Sequence, residues 1–345
     1  MSDEKKTSGG KERSRKPRDQ WGRQNFPIQT ALASRRVYQG EPIDATCWAY
    51  MKLLRERDKT RRVYDVNPFA EVYQFRDNVY GILTESADGM GDPWMYLIVG
   101  PEKAMLIDTG FGIGDLKGLL HELIGDMPLI VTNTHAHFDH AYGNSQFDKV
   151  YVHEYEAPAL QKLDEHLWDY LFDDEGQPIW YEFGREDLCG WADYEIVPCP
   201  DGYTFDLGGG HEVELIHLGG HTAGHAGFLD KKDRLFFAGD DVISMRVGVG
   251  GPRPGQAHGE CATITTLCAA FEKLAARVDE FDHVFSGHFV TDLEAVTVIH
   301  MRDALRAILA DPIGAATYTA ETARGTQYFR YVEGLGTVAY NPTSV

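Results

Sequence analysis

Short apolar segments alternate with polar, glycine-rich segments along most of this chain. Residues 94–99 and 104–107 are apolar runs separated by Gly-Pro-Glu-Lys, which predicts a β-hairpin. Later apolar runs of similar length predict five more strands: 129–132, 212–217, 227–229, 235–238 and 283–286. Amphipathic stretches among them predict three helices: 115–124, 262–278 and 292–309. Strands that alternate with helices in this way indicate an α/β fold in which helices cover sheets.

The two ends of the chain lie outside this alternating pattern. Residues 1–24 are polar and rich in Lys and Arg, which predicts a disordered basic tail. Residues 25–75 are interpreted as an N-terminal extension packed on the main body, with a helix over 43–57. Residues 311–345 are interpreted as a C-terminal tail. The main domain is therefore predicted to span 76–310.

Charge and composition restrict the partners of the protein. The chain has 345 residues and a formal net charge of −20, and so acidic a surface repels phosphate backbones and anionic membranes. The longest apolar run, residues 94–99, is too short to span a bilayer, and no secretory signal is expected at the N-terminus. Five cysteines without a C-x-x-C pair favour a reducing, cytoplasmic location. The expected partner is a small-molecule substrate, with no nucleic acid and no membrane.

The densest group of reactive side chains lies directly after the predicted strand 129–132. Three histidines and one aspartate occur within six residues: His135, His137, Asp139 and His140. Side chains two residues apart on an extended segment project to the same side, so the first pair can hold one metal ion and the second pair another. A run of exposed polar residues is the alternative, but this density of ligand-type side chains after an apolar strand argues against it.

Four side chains leave two metal ions short of ligands, because zinc usually takes about four. Three further candidates occur in the same context, each after an apolar strand and one or two glycines: His221, Asp240 and His288. The glycines let the backbone turn tightly, and loops at strand ends are the usual place for a site built from separate segments. The sequence therefore predicts that these distant residues complete a metal centre.

The order of these motifs resembles that of the metallo-β-lactamase superfamily. The matching segments are H-x-H-x-D-H at 135–140, G-G-H-T-x-G-H at 219–225, A-G-D at 238–240 and S-G-H at 286–288. L-I-D-T-G at 106–110 is similar to an early strand-end motif of the family. The resemblance implies an αββα sandwich of two β-sheets flanked by helices. It is to the two-metal branch that contains hydroxyacylglutathione hydrolases and lactonases.

The resemblance also implies a role for each candidate ligand. Each of two divalent metal ions would take three ligands of its own and share a bridging carboxylate: His135, His137 and His221; Asp139, His140 and His288; and Asp240. Zinc is expected, with iron or manganese as alternatives. A hydroxide between the two ions would attack a carbonyl carbon. Asp139 and Asp240 would be the catalytic carboxylates, and Asp139 would also protonate the leaving group.

Two more residues are expected to support the ligands rather than bind metal. Asp108 follows the predicted strand 104–107 and is expected to orient the loop that carries the first histidines. A simple cap on the end of that strand is an equal alternative for Asp108. His225 matches a family position, and we expect it to support the loop of His221.

Departures from the family patterns narrow the range of candidate reactions. His137 stands where flavodiiron oxygen reductases have glutamate, and Asp240 is a carboxylate that zinc β-lactamases generally lack. Ile243 stands where familiar quorum-quenching lactonases have tyrosine. The expected function is therefore metal-dependent hydrolysis of a small-molecule ester, lactone or thioester. The alternatives are an iron- or manganese-dependent oxidoreductase or lyase on the same scaffold and a non-catalytic binding protein.

An aromatic segment over residues 157–200 is the best clue to the substrate. We interpret it as an insertion whose first part, 158–171, is compatible with a helix. Its aromatic side chains could form a lid over an apolar or aromatic part of the substrate, or else pack on the body or form a homodimer interface. The candidate substrate contacts, including two residues outside the insertion, are Trp168, Trp180, Tyr181, Ile243 and His258.

Overall fold

A computed structural model describes residues 37–38, 41–42, 49–84, 92–178, 183–252, 255–322 and 325–345. The predicted tail 1–24 and much of the predicted extension lie outside these ranges. Two short strands, β1 (Val37–Tyr38) and β2 (Glu41–Pro42), pair antiparallel ahead of helix α1 (Ala49–Arg57).

Eight strands form the first sheet, in the spatial order β10-β9-β8-β7-β6-β5-β4-β3. Their bounds are β3 Arg62–Tyr64, β4 Asn67–Arg76, β5 Val79–Thr84, β6 Trp94–Val99, β7 Ala104–Ile107, β8 Leu129–Thr132, β9 Lys149–His153 and β10 Glu195–Cys199. Strands β7 to β10 run parallel to one another, and β3 to β7 pair antiparallel.

Six strands form the second sheet, in the order β11-β12-β13-β14-β16-β17. Their bounds are β11 Thr204–Asp206, β12 Glu212–His217, β13 Ala226–Asp230, β14 Leu235–Gly239, β16 His283–Ser286 and β17 Leu293–Glu294. Within this sheet β14 and β16 are parallel, and the other neighbours are antiparallel.

The two sheets pack face to face over a core of large apolar side chains. In β6, Trp94, Tyr96 and Ile98 point into this core, whereas Met95 and Leu97 point to the opposite face of the sheet. Because both faces of β6 are buried, the strand is an uninterrupted apolar run rather than an alternating one. This is the burial that made 94–99 recognisable in the sequence.

Helices cover the outer faces of both sheets. Their bounds are α2 Leu116–Ile124, α3 Phe138–Ala141, α4 Ala157–Leu160, α5 Ile264–Ala275 and α6 Val296–Ala310. Helix α2 packs on the first sheet, and helices α5 and α6 pack on the second. The resulting order of layers, helix–sheet–sheet–helix, confirms the predicted αββα sandwich. No helix in the described part of the chain has both the length and the apolar character needed to cross a bilayer.

The C-terminal region folds into a further sheet, although the sequence pattern predicted only a tail over 311–345. Its strands are β15 Met245–Gly248, β18 Tyr318–Thr322, β19 Gly325–Val332 and β20 Gly336–Tyr340, in the order β15-β20-β19-β18. Val332, Val338 and Tyr340 join the core beneath α6. Strands β18 and β19 are exposed or half-buried over most of their length, so they mix polar with apolar residues and lack the apolar runs of the main sheets. Only the end of β20, Val338 to Tyr340, is continuously buried.

Two other predicted boundaries differ from the structure. Strand β4 crosses the proposed end of the extension at residue 75 and belongs to the first sheet. Strand β10 lies inside the proposed insertion 157–200 and pairs with β9 at the sheet edge. The helix predicted over 158–171 is also wrong for most of its length, because α4 ends at Leu160 and turns follow.

Candidate metal centre

The loops that carry the predicted ligands meet at one edge of the sandwich. One loop follows β8 and leads into α3. Strands β12, β14 and β16 all point in the same direction, because β12 and β14 are both antiparallel to β13 and β14 is parallel to β16. The loops after these three strands carry His221, Asp240 and His288. Loops at the carboxyl ends of strands with a common direction lie side by side, which brings four separate segments to one site.

Four side chains form what we call the first half-site: His135, His137, His221 and Asp240. The Nδ1 atom of His137 lies 2.9 Å from His135 Nε2 and 3.0 Å from His221 Nε2. Asp240 Oδ2 lies 3.5 Å from His221 Nε2 and 3.9 Å from His135 Nε2. Ligand atoms around a tetrahedral zinc ion are about 3.3 Å apart for metal–ligand distances of about 2.0 Å. These spacings therefore fit one cation.

The second half-site is formed by Asp139, His140, His288 and the other oxygen of Asp240. The Nε2 atoms of His140 and His288 lie 3.2 Å apart. Asp139 Oδ2 lies 3.3 Å from His288 Nε2, and Asp240 Oδ1 lies 3.2 Å from His140 Nε2 and 3.4 Å from His288 Nε2. These four ligand atoms also have the spacing expected around a single ion.

Asp240 faces both half-sites, with Oδ2 toward the first and Oδ1 toward the second. The Oδ1 atom is buried and has no hydrogen-bond partner. A buried carboxylate oxygen without a donor is unfavourable unless a positive charge lies beside it. The fold therefore brings the seven predicted ligand residues together, and they could hold a divalent cation on either side of Asp240.

In three histidines of the cluster, Nε2 faces the other ligands and Nδ1 lies beside an acceptor oxygen. The pairs are His140 Nδ1 and Asp108 Oδ2 at 2.8 Å, His221 Nδ1 and Gly248 O at 2.7 Å, and His288 Nδ1 and Asp92 O at 3.2 Å. Each acceptor favours a hydrogen on Nδ1, so in the neutral ring the lone pair of Nε2 is directed into the cluster. Such partners fix the orientation and tautomer of metal-binding histidines.

The electrostatic surroundings of the two half-sites differ. Burial and neighbouring histidines lower the pKa of His135 well below its ordinary value, and they lower the pKa of His137 to about 3. Burial acts in the same direction on His140 and His288, but the carboxylate of Asp240 and its acidic neighbours outweigh it. The pKa of His140 is therefore well above its ordinary value, and the pKa of His288 is raised to about 10.

Asp108 connects the end of β7 to the loop of the first histidines. Its Oδ1 accepts a hydrogen bond from Thr134 N at 2.7 Å, and its Oδ2 accepts one from Thr134 Oγ1 at 2.8 Å. The same Oδ2 lies beside His140, and the backbone φ of Asp108 is +65°, a value that aspartate tolerates better than most residues. Of the two expectations for Asp108, the geometry favours orientation of the loop.

His225 lies behind Asp240 rather than among the ligand atoms. Its Nε2 accepts a hydrogen bond from Asp240 N at 2.9 Å, and its Nδ1 lies 2.8 Å from Asp241 Oδ2. Asp241 Oδ1 in turn accepts a hydrogen bond from His221 N at 3.1 Å. His225 thus lies where a supporting residue was expected, and Asp241 is a second support that the sequence analysis missed.

Glu156 is another support that the sequence analysis missed. Its Oε2 accepts a hydrogen bond from Ala136 N at 2.9 Å, and its Oε1 accepts one from Gly224 N at 2.7 Å. The buried carboxylate therefore ties the loop of the first histidines to the loop of His221. Glu156 belongs to no motif and is one of 53 acidic residues, so no signal in the sequence distinguishes it.

Two glycines are required by the close packing around Asp240. A Cβ atom at Gly287 would overlap Asp240 Oδ1. Gly239 has a φ of +52°, and a Cβ atom there would lie 2.7 Å from His225 Nε2. These contacts explain why glycine precedes both Asp240 and His288 in the motifs.

Trp168 of the aromatic insertion is buried, although it was predicted to contact the substrate. Only 4% of the Trp168 side chain surface is exposed, and its Nε1 donates a hydrogen bond to Phe111 O at 2.7 Å. Trp168 packs in an apolar cluster beneath the insertion, so its part in substrate binding is not supported. The other two aromatic candidates, Trp180 and Tyr181, lie outside the described residues.

The two candidates outside the insertion have different surroundings. Ile243 is buried in the core between the second sheet and its helices, which makes it a packing residue. His258 is half-buried and stacks on Tyr155 with ring centroids 3.8 Å apart. Next to this pair, His153 stacks on His217 with centroids 4.1 Å apart. His258 thus belongs to a stack of rings near the loop of His221.

The amino-acid sequence also matches the model of a protein family. The model of the metallo-beta-lactamase superfamily matches residues 88–267, just over half of the chain. The matched segment includes the first histidine loop together with His221 and Asp240. The chain therefore belongs to the metallo-beta-lactamase superfamily.

Among curated proteins, the chain is similar to the acyl-coenzyme A thioesterase MBLAC2 of Bos taurus, with 31% identity over 167 residues. It is also similar to the hydroxyacylglutathione hydrolase GloC of Haemophilus influenzae, with 27% identity over 165 residues. Each alignment covers 43% of this chain, and they cover 57% and 65% of the two relatives. A solved metallo-beta-lactamase from Pontibacter korlensis aligns with 69% of this chain and 99% of its own, at 18% identity and a TM-score of 0.49.

Proposed function

We propose that this protein is a hydrolase that uses two divalent cations, foremost zinc, to cleave a thioester, ester or lactone bond in a small molecule. The observation that carries the proposal is the division of Asp240 between two sets of ligand atoms. Each of its oxygens lies within 3.9 Å of ring nitrogens from two histidines. Cations bound there would polarise a substrate carbonyl and bring the pKa of a bound water to about 7.

Asp139 is the residue to which we assign proton transfer. Burial opposes ionisation of its carboxyl, but His140 and His288 lower its pKa below the usual value. An ionised carboxylate accepts a proton before it can donate one. Asp139 therefore takes a proton as the oxygen of water bonds to the carbonyl carbon, and it passes that proton to the leaving sulfur or oxygen as the acyl bond breaks.

The described cysteines do not offer a competing nucleophile. Burial raises the pKa of the Cys189 thiol to about 12 and that of the Cys199 thiol to about 11. The pKa values of Cys261 and Cys268 are raised as well, again by burial first. A thiol attacks as its thiolate, so these groups are unreactive near neutral pH. Attack by water is therefore the chemistry that these residues favour.

Thioesters are the first substrate class that we propose. The bovine relative is named as a thioesterase, and the Haemophilus relative as a hydroxyacylglutathione hydrolase. Each alignment spans less than two thirds of the relative's own length, so the likeness supports a class of bond rather than a particular substrate. Simple esters and lactones present the same carbonyl carbon to the cluster.

A combined measurement of metal content and hydrolysis tests this function. We expect about two equivalents of zinc per chain, and hydrolysis that is lost on chelation and restored by zinc. The panel contains acyl thioesters, aryl and alkyl esters, lactones, β-lactams and phosphodiesters. Hydrolysis that survives complete metal removal, or cleavage of phosphodiesters alone, would contradict the proposal.

A pair of histidine variants provides the control for that measurement. His140→Ala removes a ligand of the second half-site and should abolish most of the hydrolysis. His166→Ala removes a histidine whose side chain is 71% exposed, and it should leave both metal content and activity unchanged. Equal activity in the two variants would show that the cluster is not the reaction centre.

A further inference from the structure

The insertion is fixed to the body by buried side chains on both sides of Tyr170. Trp168 is held through its hydrogen bond to Phe111 O, and Leu171 is fully buried in the same apolar cluster. The Tyr170 side chain between them is 43% exposed. Its neighbours therefore set its position, although much of its own surface lies in solvent.

The Tyr170 ring lies against two aromatic rings that belong to the first histidine loop. Its centroid is 5.6 Å from that of Phe138 and 6.5 Å from that of Tyr142. The rings of Phe138 and Tyr142 are themselves 6.3 Å apart, and both residues are half-buried. We call these three side chains, Phe138, Tyr142 and Tyr170, the aromatic surface.

The aromatic surface begins beside the metal ligands. Phe138 lies between His137 and Asp139 in sequence, and its ring centroid is 6.3 Å from that of His137. His137 and His221 are the ligands of the first half-site that reach solvent, whereas His135 is completely buried. Phe138 therefore places the near end of the aromatic surface beside a ligand that reaches solvent.

We propose that the aromatic surface binds the apolar acyl portion of the substrate while its carbonyl carbon lies at the metal cluster. This inference rests on the proposed hydrolysis and adds a preference for longer acyl chains. Exposed aromatic rings beside a reaction centre gain free energy when an alkyl chain covers them, because apolar surface is removed from water. The three side chains bring no formal charge, so they suit an alkyl group better than a charged one.

Tyr170 is the member of the aromatic surface that can be changed without disturbing the metal ligands. Phe138 and Tyr142 lie within two residues of ligands, whereas Tyr170 belongs to the insertion. Tyr170→Ala removes the ring, and Tyr170→Phe keeps it without the hydroxyl. Tyr331→Ala is the matched control, since Tyr331 is 54% exposed on β19 in the C-terminal sheet.

The experiment measures kcat/KM of the zinc-loaded proteins for p-nitrophenyl octanoate and p-nitrophenyl acetate. In Tyr170→Ala we expect kcat/KM for the octanoate to fall by about tenfold, mainly through KM, and the value for the acetate to stay within about twofold. Tyr170→Phe and Tyr331→Ala should retain the octanoate preference of the unchanged protein. Zinc content and the thermal midpoint of each variant show whether the fold and the cluster are intact.

The possible failures of this experiment are distinguishable. If the unchanged protein hydrolyses neither the esters nor any member of the panel, the proposed function fails. If it hydrolyses both esters and Tyr170→Ala keeps the same octanoate-to-acetate ratio, the acyl-binding role is overturned and the hydrolase stands. An equal loss for both esters with normal zinc content also overturns it, because the ring would then act on the reaction rather than on the acyl chain.

Discussion

The two half-sites of the cluster share Asp240 and otherwise differ in chemistry. The first offers three histidine nitrogens and one oxygen, whereas the second offers two nitrogens and two carboxylate oxygens. A backbone carbonyl orients one histidine in each half-site: Gly248 O lies beside His221, and Asp92 O lies beside His288. The second half-site differs in that a carboxylate, that of Asp108, orients His140 as well.

The difference predicts that the two half-sites would prefer different cations. Burial and then neighbouring histidines lower the pKa of His135 and His137. Burial also acts to lower the pKa of His140 and His288, but carboxylates outweigh it there and raise both values. A nitrogen-rich set suits zinc, and an oxygen-richer set accommodates harder ions such as manganese. The second half-site is therefore where exchange of zinc for manganese should be easiest.

The largest expected effect comes from the residue that the half-sites share. Asp240→Ala removes an oxygen from each, and we expect the loss of at least one metal equivalent and about a thousandfold fall in kcat, because the charge that develops on the substrate loses its stabilisation. Metal analysis and hydrolysis rates measure both effects. Asp126→Ala, at a fully exposed side chain, is the control. Full activity in Asp240→Ala would rule out the two-metal mechanism.

A smaller and more selective effect is expected from Asp108→Asn. Asparagine tolerates the positive φ at this position but cannot accept hydrogen bonds with both of its terminal atoms, so His140 loses part of its orientation. We expect metal affinity at the second half-site to fall by about 10- to 100-fold. The first half-site should be little affected, because the Oδ1 atom of asparagine still accepts the hydrogen bond from Thr134 N. Competition with a chelating dye should resolve two steps, of which one is shifted. Equal shifts in both steps would remove the distinction between the half-sites.

Glu156→Gln makes the complementary test on the first half-site. Glutamine has one acceptor oxygen, so it keeps only one of the hydrogen bonds to Ala136 N and Gly224 N and turns an N–H toward the other. We expect a loss of about 1–3 kcal/mol in the free energy of unfolding. Weaker metal binding should be confined to the first half-site, whose chelation step Asp108→Asn leaves unchanged. Unfolding in urea and the same dye assay provide the two readings.

The smallest expected effect is on the stability of the fold at acid pH, and it concerns His153, which is not part of the cluster. Burial, then His217 and His258, lower the pKa of His153 to about 3, whereas an unfolded histidine titrates near 6.5. The unfolded state therefore binds the proton first, and stability falls as pH drops below 6.5. His153→Phe should remove about 1 kcal/mol of the loss between pH 7 and pH 5.5. Urea unfolding at both pH values measures the difference, and an unchanged pH slope would contradict the assignment.

The sequence identified the residues that the fold brings together in the cluster, because each lies in a short local pattern. An apolar strand, a glycine and a histidine or aspartate are adjacent in sequence, so the motif shows the turn and the ligand together. Glu156 and Asp241 act through single contacts with residues far along the chain. No local pattern reports such contacts, so they became visible only when the loops were folded together.

The aromatic residues of the insertion are an equally conspicuous pattern, but they did not predict which side chains face solvent. Its aromatic content correctly marked it as unusual, but composition does not tell which rings are buried. Trp168 anchors the segment and Tyr170 faces solvent, although the two are separated by a single residue in a short 3-10 turn. Trp168 packs against Phe111 and its neighbours, whereas Tyr170 lies against Phe138 and Tyr142, and all of these contacts are remote in sequence.

The parallel pairing of β15 with β20 has a consequence for the protein during its synthesis. Gly248, whose carbonyl orients His221, ends β15, and β20 is the neighbour that holds β15 in its sheet. On the ribosome, His221 is made long before residues 336–340 exist. A nascent chain can thus expose most of its histidines before the support for His221 is in place. Under the proposed function, stable binding of a cation at the first half-site would therefore follow translation of β20.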